Sequence, residues 1–456
     1  MTAAYTWILF AFLFISTAAV AQDDFSPLSK DASRCRKMVE EATARFNKDV
    51  STLKGEHKKY LSEIYKERFE NIKGILEGKE IITDQQACSY LGSLADALIK
   101  ANPVLKASDL RIVFSNDITP NASSQGEGTI LFHIGLFNRL QNESEAAFVL
   151  CHELAHYYLD HSNKSIEGYV NTVYSDEFQQ KLKNIKKTEY GKNKQLIDLG
   201  KSLTFRTRKH SREYEQAADS LALEFMKHTG YDLEGAITVL NFLDTVENNK
   251  YYCKLDLAKH FHSDQFPFRK SWLEADNVLA FTSSEETDKS IADSLKTHPD
   301  CAIRIEKMRG MISQYNKPSN KKFLVSETEF RALQKKFDFN LVEYCFEMDA
   351  VSLCLYYTLQ MLQTYPENAY LHTMVGRCLN EIYTRQKNHR LNQVTELPGS
   401  EHDENYNQLL QMIQNTRLKE IASLSYHYLL QHKAIAEKHK GFSAVMLKSM
   451  EHFTQH

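Results

Sequence analysis

Apolar residues recur along most of this chain at helical spacing. From 29 to 79 a charged stretch carries Tyr60, Ile64, Phe69, Ile72 and Leu76 as one apolar stripe, which reads as a packing surface. Ser89 to Lys100 predicts another helix, stopped before Pro103. The period then shortens, and Leu110 to Phe114 and Thr129 to His133 predict two short strands. Helical spacing returns over Glu143 to His161, a run without Gly or Pro that Asn142 precedes at capping distance from Glu145. Asn163 to His210 is rich in Lys, Gln and Asn and reads as a solvated helical insert on the rim of a cleft. Beyond it a helix runs through Leu223 and Met226 to a stop at Gly230, and Gly235 to Val246 predicts one more. Residues 247 to 297 are the least regular part, and Leu324 to His456 is helical again with a polar break around Glu396 to Glu404.

Composition agrees with a largely helical chain: 16 Gly and 8 Pro in 456 residues are about 5%, against a usual figure near 12%. The length allows two or three domains, each with its own core. A formal net charge of −3 and a pI near 6.7 give no electrostatic footprint for nucleic acid. The first 21 residues hold no Lys or Arg, run apolar from Trp7 to Ile15, and end Ala19-Val20-Ala21. This reads as a secretory signal peptide, with a retained short anchor as the alternative. No later stretch approaches the roughly 20 apolar residues that span a bilayer. The eight cysteines form no Cys-x-x-Cys pair, so redox motifs and zinc ribbons are not expected. Cys151, Cys354 and Cys378 fall in apolar helical patterns and read as buried thiols.

Chemistry concentrates in Cys151-His152-Glu153-Leu154-Ala155-His156, a His-Glu-x-x-His sequence inside an apolar helical run. Residues four apart share a helix face, so His152 and His156 can offer two imidazoles to one ion. Glu153, one step round, is placed to act on water beside the ion as a general base. With 18 His and 59 acidic residues, fewer than about 0.1 chance matches are expected. Two core histidines satisfied by backbone are the plain alternative, but three ionisable groups in one buried turn would each need a partner.

A catalytic zinc takes three protein ligands. A close third histidine is excluded, because Leu159 and Ser162 stand where that pattern needs Gly and His. The other common solution is a Glu on a second helix. In Ser211-Arg212-Glu213-Tyr214-Glu215-Gln216-Ala217-Ala218-Asp219 the choice is Glu215, with Asp219 four residues on to orient a liganding histidine. Alone, that stretch reads more readily as an ordinary amphipathic helix with a solvated acidic face.

Together, the two stretches resemble the zinc metallopeptidase family of the CAAX prenyl proteases and HtpX-like proteases, at His152, Glu153, His156, Ser211, Arg212, Glu215, Ala218 and Asp219. The resemblance extends to Asn121-Ala122, Gly128-Thr129-Ile130 and Gly135-Leu136 before the motif, and to Thr297-His298-Pro299 with Arg304 after it. It spans about residues 80 to 312. With the patterns above it gives an expected α+β, predominantly helical fold: the leader at 1–21 and a helical segment at 22–79 from the residue pattern, a zincin-like peptidase domain with a small sheet at 80–320 from the resemblance, and an all-α region at 321–456. Pro366 and Gly376, with Tyr356, Leu359, Leu362, Leu379 and Tyr383, resemble the join between two tetratricopeptide repeats, and a plain helical cap is the alternative.

What the resemblance implies for function is a one-zinc peptidase held by His152, His156 and Glu215, with Glu153 as base and Asp219 behind the ligands. His298 and Arg212 are expected to help at the oxyanion, His298 alternatively as a latency ligand, and Arg212 alternatively as support for Glu215. Asn121, Ala122, Thr129 and Ile130 are expected to offer substrate an edge strand, with a plain internal strand as the alternative for Thr129 to His133. The expected activity is endoproteolysis of exported proteins, misfolded or unassembled, in a bacterial periplasm, with peptide or protein substrates and a protein partner on the C-terminal helices. A chaperone or scaffold with a latent site, and an aminopeptidase, are the alternatives.

Overall fold

The computed structural model describes residues 25, 28–188, 191–247, 254–274, 301–315, 319–399 and 402–456. The leader at 1–21 and His298 lie outside these residues. Helix α1 (Ala32–Thr52) starts at Asp31, whose carboxylate accepts from the amides of Ser33 and Arg34. It pairs with α2 (Lys58–Glu77), and α3 (Gln85–Ala101) is capped by Asp84. Three strands follow: β1 (Arg111–Ser115), β2 (Ala122–Ser124) and β3 (Thr129–His133), in the order β1-β3-β2. β3 runs parallel to β1 and antiparallel to β2. Side chains alternate across the sheet: Val113 and Leu131 pack on the α1–α2 hairpin, while Phe114, Ile130 and Phe132 enter the main core.

Every residue of β3 is buried, and the strand is central. This corrects the expectation that Thr129 and Ile130 line an edge. Ile130 pairs with Ile112 on one side and Ser124 on the other. Thr129 pairs with Arg111, and its carbonyl accepts from the Gln125 amide at 2.8 Å. The edge beside the active-site helix is β2, which carries Ala122, with Asn121 immediately before it. Three residues reading Ala-Ser-Ser are too short and too polar to announce a strand in sequence.

The short α4 (Ile134–Phe137) leads into α5 (Glu143–Tyr158), which carries His152, Glu153 and His156. Asn142 caps it, accepting from the Glu145 amide at 3.2 Å, while Glu145 accepts from the Gln141 amide at 2.6 Å. α5 is buried on all sides for most of its length, which is why its sequence lacks a polar stripe. It ends three residues short of the predicted His161. Asp160 takes a left-handed conformation at φ 57°, one that Asp adopts more readily than most residues, and the chain turns there into α6 (His161–Val173). After α7 (Asp176–Lys187) comes α8 (Lys192–Lys227), one 36-residue helix where sequence placed a boundary between the insert and the stretch after Ser211. α8 and α9 (Glu234–Glu247) pack on α5; α10 (Leu257–Phe261) follows, and α11 (Cys301–Ile312) closes against α8 and α9.

The last third is helical: α12 (Glu327–Glu347), α13 (Val351–Thr364), α14 (Ala369–Lys387), α15 (Glu404–Asn415), α16 (Leu418–Gln431), α17 (Lys433–Ala436) and α18 (Phe442–Thr454). Gly376 sits where α14 meets α16; a Cβ there would lie 2.6 Å from Leu429 Cδ2. Cys151, Cys354 and Cys378 are buried. The hydrophobic core crosses residue 320 without a break, and the Phe137 ring meets Phe330 and Phe337 at centroid distances of 4.8 and 5.7 Å. Beside this seam the fully buried Glu143 carboxylate, at the start of α5, accepts from the amides of Leu324, Val325 and Ser326 and from the hydroxyls of Tyr90 and Tyr231. Among the described residues no helix is long and apolar enough to cross a membrane.

Candidate metal centre

Helix α5 brings His152 and His156 onto one face, and α8 packs across that face so that Glu215 meets both. His152 Nε2 lies 3.0 Å from His156 Nε2 and 3.4 Å from Glu215 Oε2, and His156 Nε2 lies 3.2 Å from Glu215 Oε1. One ligand atom from each of the three falls within 4.8 Å of the others. Nitrogens held at 2.0–2.1 Å by a tetrahedral zinc stand roughly 3.3 Å apart, so the observed spacings fit that ion.

The outer groups reinforce the fit. His152 Nδ1 faces Asp219 Oδ1 at 3.0 Å, which places its ring proton there and leaves Nε2 as a lone pair. Buried Arg304 on α11 grips Asp219 through Nε and Nη2, both at 2.7 Å, and its Nη1 lies 3.2 Å from Glu215 Oε2. Burial opposes charge on His152, yet the Asp219 and Glu215 carboxylates outweigh it and hold the ring's pKa up at about 10, so that without a cation Nε2 takes a proton in its place. Burial would likewise raise Asp219, but Arg304 and His152 keep it below the ordinary carboxylate value. The centre is therefore built to draw in positive charge, which a divalent cation supplies.

Glu153 is 5% exposed, and among the described residues its carboxylate meets neither a hydrogen-bond donor nor an ion-pair partner. It borders, with His152 and Ala122, a cavity of about 20 Å³. That is room for one water molecule. His133, at the end of β3, is held neutral at physiological pH by burial, with Thr119 Oγ1 3.0 Å from its Nδ1.

Of the residues picked from sequence, the fold brings together His152, Glu153, His156, Glu215, Asp219 and Ala122. Arg212 is exposed on α8, one turn before Glu215. Arg304 also places a guanidinium against Glu215. Arg304 was legible as part of a motif, but its part in the centre was not. The signal lay in burial: an arginine packed inside a helix pair needs carboxylates. His161 was missed altogether. Its Nδ1 lies 3.0 Å from His156 Nδ1, and its ring stacks on Tyr214 at 4.3 Å.

Two histidines one helical turn apart, a distant glutamate completing the set and a buried glutamate without a partner define the site of a zinc-dependent metallopeptidase. Residues 90–312 match the model of peptidase family M48, and through this segment the chain belongs to that family of zinc metallopeptidases. No curated protein gives a significant match to the chain.

Proposed function

We propose that this protein is an endopeptidase that cuts extended segments of unfolded or unassembled exported proteins. The observation that carries the reading is the unpartnered Glu153 carboxylate beside the converging His152, His156 and Glu215. Those three residues would hold one zinc ion. When bound, it supplies Lewis acidity, bringing the pKa of water at the site to about 7 and polarising a peptide carbonyl. Glu153 accepts the proton as water attacks that carbonyl and passes it to the departing amine nitrogen. Asp219 fixes the tautomer of His152, and Arg304 neutralises Asp219 and Glu215 so that neither acid stands as an uncompensated buried charge.

Edge strand β2 favours internal cleavage. Asn121 spends its amide on the Thr119 carbonyl and its carbonyl on the His133 amide, so the open side of the strand falls at Ala122, along which an extended chain can pair, giving affinity without demanding one sequence or a free terminus. We assign the oxyanion to His298 as a further proposal, with Arg212 at the rim. The helices after residue 321 would hold the client protein or a partner, in the manner of tetratricopeptide repeats. Export through the 1–21 leader to a periplasm completes the reading. An unfolded outer-membrane protein with a blocked amino terminus tests it: internal cuts by the zinc-loaded chain support the proposal. Cutting only after unblocking would establish an aminopeptidase, and binding without any cutting a scaffold.

A further inference from the structure

The break between α5 and α6 does more than end a helix. On a continuous helix the fifth residue after His156 would sit roughly 140° round the axis, facing away from it. The left-handed turn at Asp160, pinned by Asn163 Nδ2 donating to Asp160 Oδ1 at 2.7 Å, folds His161 back over the preceding turn. Its Nδ1 then stands 3.0 Å from His156 Nδ1. His161 is 6% exposed, and its ring lies nearly parallel to that of Tyr214, at 15°, on the helix that carries Glu215.

We propose that His161 is a positioning residue for the metal centre, accepting the Nδ1 proton of His156 and so presenting the Nε2 lone pair of that ring to the ion. This rests on the metallopeptidase reading. Two facing Nδ1 atoms of neutral rings share a single proton. If His156 binds through Nε2, that proton sits on its own Nδ1, and His161 must be the acceptor. The two liganding histidines are then oriented by different chemistry, His152 by the Asp219 carboxylate and His156 by a second imidazole. Stacking on Tyr214 holds the acceptor ring in the plane the hydrogen bond needs.

Two variants separate the hydrogen bond from the packing. His161→Phe keeps a ring on Tyr214 but has no acceptor; His161→Asn places an amide oxygen near the position of Nδ1. The readouts are zinc affinity by chelator competition and the His156 ring N–H resonance of the zinc-loaded protein. The expected result is a loss of affinity of about 10 to 100-fold in the Phe variant, with a broadened or absent N–H signal. The Asn variant should recover most of both. Equal affinity in wild type and Phe variant, or no recovery by Asn while both variants stay folded, would overturn the role of His161. Wild-type protein that takes up no zinc would instead overturn the metallopeptidase reading beneath it.

Discussion

Replacing Glu143 with glutamine should loosen the seam between the active-site helix and the C-terminal helices. Oε1 accepts from Tyr90 at 2.9 Å and Ser326 N at 2.7 Å; Oε2 accepts from Tyr231 at 3.1 Å, Leu324 N at 2.7 Å and Val325 N at 2.9 Å. Glutamine keeps one oxygen. Its NH2 group does least harm in the Oε1 place, where the Tyr90 hydroxyl can turn to accept, but it then confronts the Ser326 amide with another donor. One opposed buried donor costs about 1–3 kcal/mol, and the remaining bonds lose their charge assistance. Removing a buried charge offsets part of this, so a net loss of about 3 kcal/mol is expected. For a chain of 456 residues each kcal/mol moves the melting transition by roughly 1 °C, so it should fall by roughly 3 °C. Thermal scans with hydrogen exchange at Leu324 to Ser326 would measure it. A shift under about 1 °C with unchanged exchange at those amides would refute the account of this hub.

Asp219→Asn should weaken zinc binding by about 10 to 100-fold, since the amide loses the charge that orients His152 and keeps one oxygen where the carboxylate offered two to His152 and Arg304; chelator competition, with circular dichroism to check that the helices stay folded, tests it. Asp338 offers a pH test remote from the metal. Burial raises its pKa from 3.8 to about 6, although Arg139 and Asn138 pull the other way. Its charged form is therefore penalised in the folded state, and stability should fall as pH rises through about 4 to 6. Asp338→Asn should add about 2 kcal/mol at pH 7 and nothing below about pH 4, read from denaturation midpoints across that range.

The ligand set was legible because it follows from local rules. His152 and His156 share a helix face by spacing alone, and Asn142 announces the start of their helix. Glu215 lies 59 residues beyond His156, and the resemblance rather than the spacing selected it. Other features depend on tertiary placement. β2 is three residues long, so its pairing on β3 has no hydrophobic signature, and the sequence leaves open whether β3 is an edge or a central strand. The turn at Asp160 uses no glycine, so His161 read as the last residue of a longer helix. Arg304 acquires its role only when α11 closes on α8. Glu143 read as an ordinary first-turn acid, because the three amides it binds lie more than 180 residues away.

The central claim is that Glu153 activates water beside zinc held by His152, His156 and Glu215. Zinc content and casein cleavage, measured on the same preparations of wild type and Glu153→Gln, test it most directly. The account predicts one zinc per chain in both and cleavage by the wild type alone. Equal cleavage by the two zinc-loaded proteins, or no cleavage by a fully zinc-loaded wild type, would contradict it.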